Sequence, residues 1–291
     1  MFHRVAVVTD STAYLPVDLA TGAGITVVPL QVVVGGRALA EGIEVTSAEI
    51  AAALRAGQNV TTSRPSPAEM AAVYRRLAGE GATGIVSVHL SADLSATVDG
   101  ARVAARQVAP EKIAVKVVDS RTLAMGLGYA ALAAARTASA GEGMAEVARA
   151  ALRQALATEV WLYVDTQEYL RRGGRIGAAA AWLGSALAVK PLLHLVDGRI
   201  EPLERVRTAS RALARLEEIA VAEAGPAPVD LAVQHLAAPD RAAELAQRLR
   251  ERVPGIRQFV VDEVGAVVGA HVGPGMLGVV IAPAVPAVPA E

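Results

Sequence analysis

Residues 5–12 read VAVVTDST, and this stretch decides the fold. Four apolar residues in a row, three of them valine, suit a strand buried on both faces. The cluster Thr9-Asp10-Ser11-Thr12 then ends the run with residue types that favour helix caps and turns. The same pattern occurs twice more. Ala114-Val-Lys-Val-Val118 runs into Asp119-Ser120, and Val160-Trp-Leu-Tyr-Val164 runs into Asp165-Thr166. Three buried strands of parallel type, each closed by small polar residues, point to a layered α/β protein. In such sheets the carboxyl ends of strands also bind ligands. Helix capping explains any one of these junctions taken alone.

Outward from these strands, helix starts are well marked. Thr46-Ser-Ala-Glu49 is a capping box, and Ser66-Pro-Ala-Glu69 is a second with proline at the first helical position. Met70, Val73, Tyr74 and Leu77 form the apolar stripe of the helix that follows. A helix is expected after Ser95, and others over 123–139, 143–157, 178–187, 208–224 and 239–252. Later strands fit 191–195, 199–206, 229–235, 257–263, 266–272 and 277–281. Asp197-Gly198 signals a hairpin, and Val264-Gly265 reads as a second turn of that kind. The clean alternation up to about residue 155 predicts an N-terminal α/β domain, residues 1–157, with a mainly parallel sheet. The hairpins predict a C-terminal α/β domain, residues 158–291, with a mixed sheet.

Composition narrows the function. Apolar residues make up 53% of 291, ample for a core, and aromatics only 3%, so that core is aliphatic. A net charge of −1 gives no field for nucleic acid. The chain has no cysteine, and its five histidines form no HExxH or HxxxH pair, so no metal site is expected. High average hydropathy raises the question of a membrane span. The uncharged run Ile176 to Val189 is shorter than the roughly 20 residues a spanning helix needs, and the run from Val264 is broken by Gly273-Pro274-Gly275. No integral span is expected. The chain enters its first strand directly, and a cytoplasmic location is expected.

Few motifs carry chemistry. No phosphate loop of the GxxxxGK[ST] type is present. Gly126-Leu-Gly128-Tyr-Ala-Ala131 matches a loose dinucleotide fingerprint, but it lies inside a helical run, where glycines serve packing. Val60-Thr-Thr-Ser-Arg-Pro-Ser66 and Leu90-Ser-Ala-Asp-Leu-Ser-Ala-Thr97 place hydroxyls and free N–H groups before helix starts, an arrangement suited to an anion. With the turn His271-Val-Gly-Pro-Gly275 they would converge on one small anionic group. Arg171, Arg172 and Arg175 surround Gly173-Gly174. A helix stop explains one glycine and one arginine; a solvated surface and a functional basic surface both remain open for the rest. An enzyme acting on a phosphorylated or carboxylated metabolite, with Asp10, Asp119 and Arg175 at the strand ends, is the alternative on this evidence.

At these motifs the sequence resembles the DegV family of bacterial fatty-acid-binding proteins. Val8-Thr-Asp-Ser-Thr-Ala13 with Leu15-Pro16 is similar to that family's opening strand and turn. Thr62-Ser-Arg-Pro-Ser-Pro67, Leu90 to Thr97, Tyr169-Leu-Arg-Arg-Gly-Gly-Arg-Ile-Gly177, Lys190-Pro191, Asp197-Gly198 and His271-Val-Gly-Pro-Gly275 follow in family order. The resemblance implies two α/β domains with a long-chain fatty acid buried between them. It implies a carboxylate held by Thr62, Ser95 and His271, with Arg207 near. It implies a non-enzymatic carrier without cofactor, which presents its lipid to a separate fatty acid kinase. Arg171, Arg172 and Arg175 then become the expected docking surface for that kinase. Val27, Val28, Leu30 and residues 176–189 are candidate lining for the acyl chain. The chain departs from the family pattern at Arg64, where glutamine is usual, and at Ala96, where glycine is usual.

Overall fold

The structure, a computed structural model, describes residues 4–175 and 190–284. Its strands are β1 (Val5–Asp10), β2 (Ile25–Val28), β3 (Gln31–Val34), β4 (Arg37–Ala40), β5 (Val60–Ser63), β6 (Gly84–His89), β7 (Val115–Asp119), β8 (Glu159–Tyr163), β9 (Lys190–Val196), β10 (Arg199–Val206), β11 (Val229–His235), β12 (Ile256–Glu263) and β13 (Leu277–Pro283). Its α-helices are α1 (Val17–Gly22), α2 (Ser47–Arg55), α3 (Pro67–Gly79), α4 (Thr97–Val108), α5 (Met125–Ser139), α6 (Met144–Ala157), α7 (Glu168–Arg172), α8 (Ala209–Ala224), α9 (Pro239–Arg252) and α10 (Ala266–Val272). The helix expected at 178–187 lies outside the described residues.

The chain forms two compact units. One contains the chain up to Leu30 and Ser63–Ala157; the other contains Gln31–Thr62 and Thr158 to Ala284. The chain passes from one unit to the other at Ala157 to Thr158. Gln31–Thr62, however, fold with the second unit, which corrects the expectation of one continuous N-terminal domain. The reason is tertiary: β3 and α2 pack against α10, far downstream, and no local pattern encodes that contact.

The first unit is built on a parallel sheet in the order β2-β1-β6-β7. Every residue of β6 is buried, as befits a central parallel strand covered on both faces. Val8, Val28 and Ile85 pack with Met70, Tyr74 and Leu77 of α3 and with Ala101, Ala104 and Val108 of α4. Val28 is thus core, and Leu30 is buried as well. α5 is buried without a break from Met125 to Ala135, which its alanines permit in tight quarters. A β-carbon on Gly128 would stand 2.9 Å from the Ala13 carbonyl, so Gly128 is there for packing. Both capping boxes are present, at Thr46 with Glu49 and at Ser66 with Glu69.

The second unit holds a small sheet, β4-β3-β5, and a six-stranded sheet in the order β10-β9-β8-β13-β11-β12. The larger sheet is mixed: β11 and β12 run parallel and the other neighbours antiparallel. The strand read at Val160–Val164 is therefore antiparallel to both neighbours, not of the parallel type; an apolar run alone does not encode direction. Asp197 and Gly198 both take positive φ in the β9–β10 hairpin, as expected. Residues 266–272, read from sequence as a strand, form α10 instead. Short apolar runs do not separate strand from buried helix, and here packing against α2, α7 and β3 decides.

Candidate ligand-binding site

α10 carries His271 in its last turn, and Thr62 lies near the end of β5. Thr62 Oγ1 and His271 Nε2 share a hydrogen bond of 2.9 Å, although 209 positions separate them. The other ring nitrogen, Nδ1, is buried and has no hydrogen-bond partner among the described residues. A buried N–H without an acceptor is costly, so the proton belongs on Nε2, which donates to Thr62. The Thr62 hydroxyl hydrogen is then left to donate to another oxygen acceptor. Burial, and secondly the charge of Arg175, push the His271 pKa down to about 4. The imidazole is therefore neutral at ordinary pH and serves as an orienting donor, not as a cation.

The segment after β8 is keyed to the turn that follows α10. A β-carbon on Gly173 would overlap His271 Nδ1, one on Gly273 would overlap the Tyr169 ring, and one on Gly275 would overlap the Asp165 carboxylate. Positions 165, 169 and 173 thus meet 275, 273 and 271 in antiparallel order. Gly273 and Gly275 have φ of 75° and 91°, values that strain any other residue. Asp165 accepts hydrogen bonds from the Tyr163 hydroxyl and from Arg241 Nη2 at 3.4 Å. Lys190 Nζ donates to the Asp165 carbonyl at 2.8 Å. Burial pulls the Asp165 pKa up, but Tyr163, Arg241 and Lys190 together hold it below the usual carboxylate range.

The three loop arginines differ in what they do. Arg171 and Arg172 are exposed, and Arg172 pairs with Glu168. Arg175 is half-buried, donates to the Gly173 carbonyl at 2.5 Å and acts electrostatically on His271. Arg207 is exposed in the bend between β10 and α8, and no hydrogen bond or ion pair joins it to Thr62 or His271.

Ser95 belongs to the first unit. The loop before α4 ties up its own backbone donors. Leu90 N–H donates to Asp10 Oδ2, Ser91 N–H to the Thr122 carbonyl, and Ala92 N–H to Asp119 Oδ1. Leu94 and Ser95 N–H both donate to the Ser91 carbonyl. The Ser95 hydroxyl lies 2.8 Å from Thr97 Oγ1, and Ala96, not Ser95, holds the N-cap position of α4 without a side-chain cap. Arg64 Nη1 reaches the Ala96 carbonyl at 3.5 Å, so this chain sets an extra cation over that helix start.

Asp10 and Asp119, the carboxylates of the enzyme alternative, are occupied. Asp10 is wholly buried; it accepts from Thr12 N–H and hydroxyl, from Leu90 N–H and from His89 Nδ1 at 2.9 Å. His89 Nε2 continues to Ser87 at 2.7 Å, which takes the Tyr74 hydroxyl at 2.9 Å. This buried chain was not foreseen from sequence, because His89 and Tyr74 carry no local signal. Among the described residues no cluster of His, Asp and Glu suits a metal, and no helix is long and apolar enough to cross a membrane.

Comparison with known proteins covers nearly the whole chain. The pattern of the DegV family, described as uncharacterised proteins, matches residues 4–284. A DegV domain-containing protein of Streptomyces coelicolor is 62% identical over 281 residues, 97% of this chain and 99% of its own. Among solved structures, a DegV family protein from Thermus thermophilus, described by its fatty acid binding, shares 35% identity with a TM-score of 0.89 and covers 96% of this chain and 99% of its own. DegV from Bacillus subtilis, described as a fatty acid binding protein, shares 32% identity with a TM-score of 0.88, covering 97% and 99%.

Proposed function

The chain belongs to the DegV family, and from that premise we propose that it is a carrier that binds one long-chain fatty acid and presents its carboxylate to a separate fatty acid kinase. The observation that carries the reading is the Thr62–His271 pair: a neutral, buried imidazole that turns a threonine hydroxyl into a donor, in a chain whose solved relatives bind fatty acids. A carboxylate accepts such a bond, and charge-assisted bonds are the stronger kind. Ser95 and Arg207 enter the proposal as further head-group contacts by family resemblance. Arg171, Arg172 and Arg175 enter as the kinase-facing group, with Arg171 the most exposed to that role because it joins no ion pair among the described residues.

The energetics suit a lipid. Burying a methylene is worth about 0.8 kcal/mol, so a chain of about 16 carbons gains on the order of 10 kcal/mol before entropy losses. The carrier itself supplies no turnover in this proposal: Asp10 and Asp119 are committed to loop geometry. The test is organic extraction of the purified protein followed by mass spectrometry. Roughly one saturated or monounsaturated fatty acid per chain is expected. A protein that emerges empty, and that does not bind a fluorescent fatty acid at micromolar concentration, overturns the proposal.

A further inference from the structure

α10 begins without a cap of its own. Its N-cap residue is Gly265, which has no side chain to accept a hydrogen bond. Every residue from Ala266 to Ala270 is buried, so water is not at hand for the first-turn N–H groups. The acceptor comes from far away in sequence. Glu41 Oε1 takes the Val267 N–H at 2.7 Å, across 226 positions, in a buried setting. Glu41 is itself only 5% exposed.

The turn that carries Glu41 is tightly fixed. Gly42 N–H donates to the Val45 carbonyl at 3.1 Å, Glu44 N–H to the Ala40 carbonyl at 2.9 Å, and Ala40 N–H to Glu44 Oε2 at 2.8 Å. The same segment, Gln31–Thr62, therefore grips α10 at both ends: Glu41 at its first turn and Thr62 at His271 in its last. A helix this short has few internal bonds, so its placement depends on such outside anchors. A buried carboxylate on a helix N-terminus is a strong anchor, combining a charge-assisted bond with the favourable end of the backbone dipoles.

We propose that Glu41 is a positioning residue for the head-group site: by capping α10 it sets the height and rotation of that helix, and so the meeting of His271 with Thr62. The inference rests on the fatty-acid reading for its consequence, but the geometry it concerns can be read without lipid.

The experiment compares wild type, Glu41→Ala, Glu41→Gln, His271→Ala and the Glu41→Ala/His271→Ala pair. Binding is followed with cis-parinaric acid, and the His271 imidazole is titrated by NMR in lipid-free protein. Glu41→Ala is expected to lose about tenfold in affinity, the usual weight of a bond to a charged group. Its His271 titration is expected to move up towards the ordinary histidine range as the ring loosens. Glu41→Gln, which keeps size and an acceptor oxygen, should recover most of both. In the His271→Ala background the Glu41→Ala loss should shrink to less than about threefold, because the two act through one contact. Equal losses in both backgrounds, or an unmoved His271 titration in Glu41→Ala, overturn the proposal. If Glu41→Ala does not fold, Glu41→Asp, whose shorter side chain falls short of the Val267 amide, carries the test: faster hydrogen exchange at that amide with an upward shift of the His271 titration supports it, and failure of either to change overturns it. If wild type itself binds no parinaric acid, the lipid reading fails, while the His271 titration still decides for or against Glu41.

Discussion

Gly173 lies against His271 so closely that a β-carbon at position 173 would occupy the space of the imidazole Nδ1. The arginine loop and His271 are thus one packed unit, and the glycine is required for contact, not for its backbone angles, which are those of an ordinary helix end.

Gly173→Ala is therefore expected to push the imidazole off Thr62. Overpacking of this kind costs about 1–3 kcal/mol. Fatty-acid affinity should fall together with the melting temperature. Calorimetry and a fluorescent fatty-acid titration check this; a Gly173→Ala protein with wild-type affinity would show that the His271 position does not matter.

The second expectation concerns pH. Burial pushes the folded-state pKa of His271 down to about 4, below the ordinary histidine value of about 6.5. The unfolded chain therefore takes up a proton at higher pH than the folded one. The stability held by the neutral ring is complete above the unfolded value and is lost as pH falls from about 6.5 through about 4, by an amount on the order of 2–3 kcal/mol. Urea denaturation of wild type and His271→Asn across that window should show the extra loss in wild type alone.

Asp10→Ala tests the buried chain of the first unit. It strips partners from Leu90 and Thr12 N–H groups and from His89, all buried. A loss of about 3–5 kcal/mol is expected, as when one partner of a buried pair is removed. Denaturation curves measure it. A variant of unchanged stability would return Asp10 to the enzyme alternative.

Arg171→Ala addresses docking. Arg171 is exposed and joins no ion pair among the described residues, while Arg172 is paired to Glu168 and Arg175 donates to the Gly173 carbonyl. Fatty-acid binding should stay within about twofold, whereas acyl phosphorylation by the kinase should slow by about threefold or more at low salt, with the gap closing as salt rises. Loss of lipid binding with unchanged kinetics of the loaded protein would place docking elsewhere.

Much of this architecture is written locally. Val5–Val8 and the two capping boxes declare strands and helices because apolar runs and cap residues act over a few positions. Asp197-Gly198 declares its hairpin for the same reason. What stayed hidden is what only distant packing decides. The 266–272 run is rich enough in valine to read as a strand, and distant packing against α2, α7 and β3 makes it a helix. Nothing in the neighbours of Glu41 says that a buried amide awaits it. The motifs of Thr62 and His271 are expected to converge, and the two side chains do meet at 2.9 Å; the role of that pair towards a carboxylate rests on the family resemblance, since spacing of 209 carries no chemistry.

That spacing has a kinetic side. Both contacts that fix α10 close loops of more than two hundred residues, and such non-local contacts slow folding because their closure entropy must be met before they contribute. On a ribosome, Gln31–Thr62 emerge early and must wait, without their partner, until nearly the whole chain has been made. The Thr62–His271 pair is then among the last features to form, so a chain truncated before Ala266 would retain the sequence of the parallel sheet and leave Thr62 without its imidazole partner.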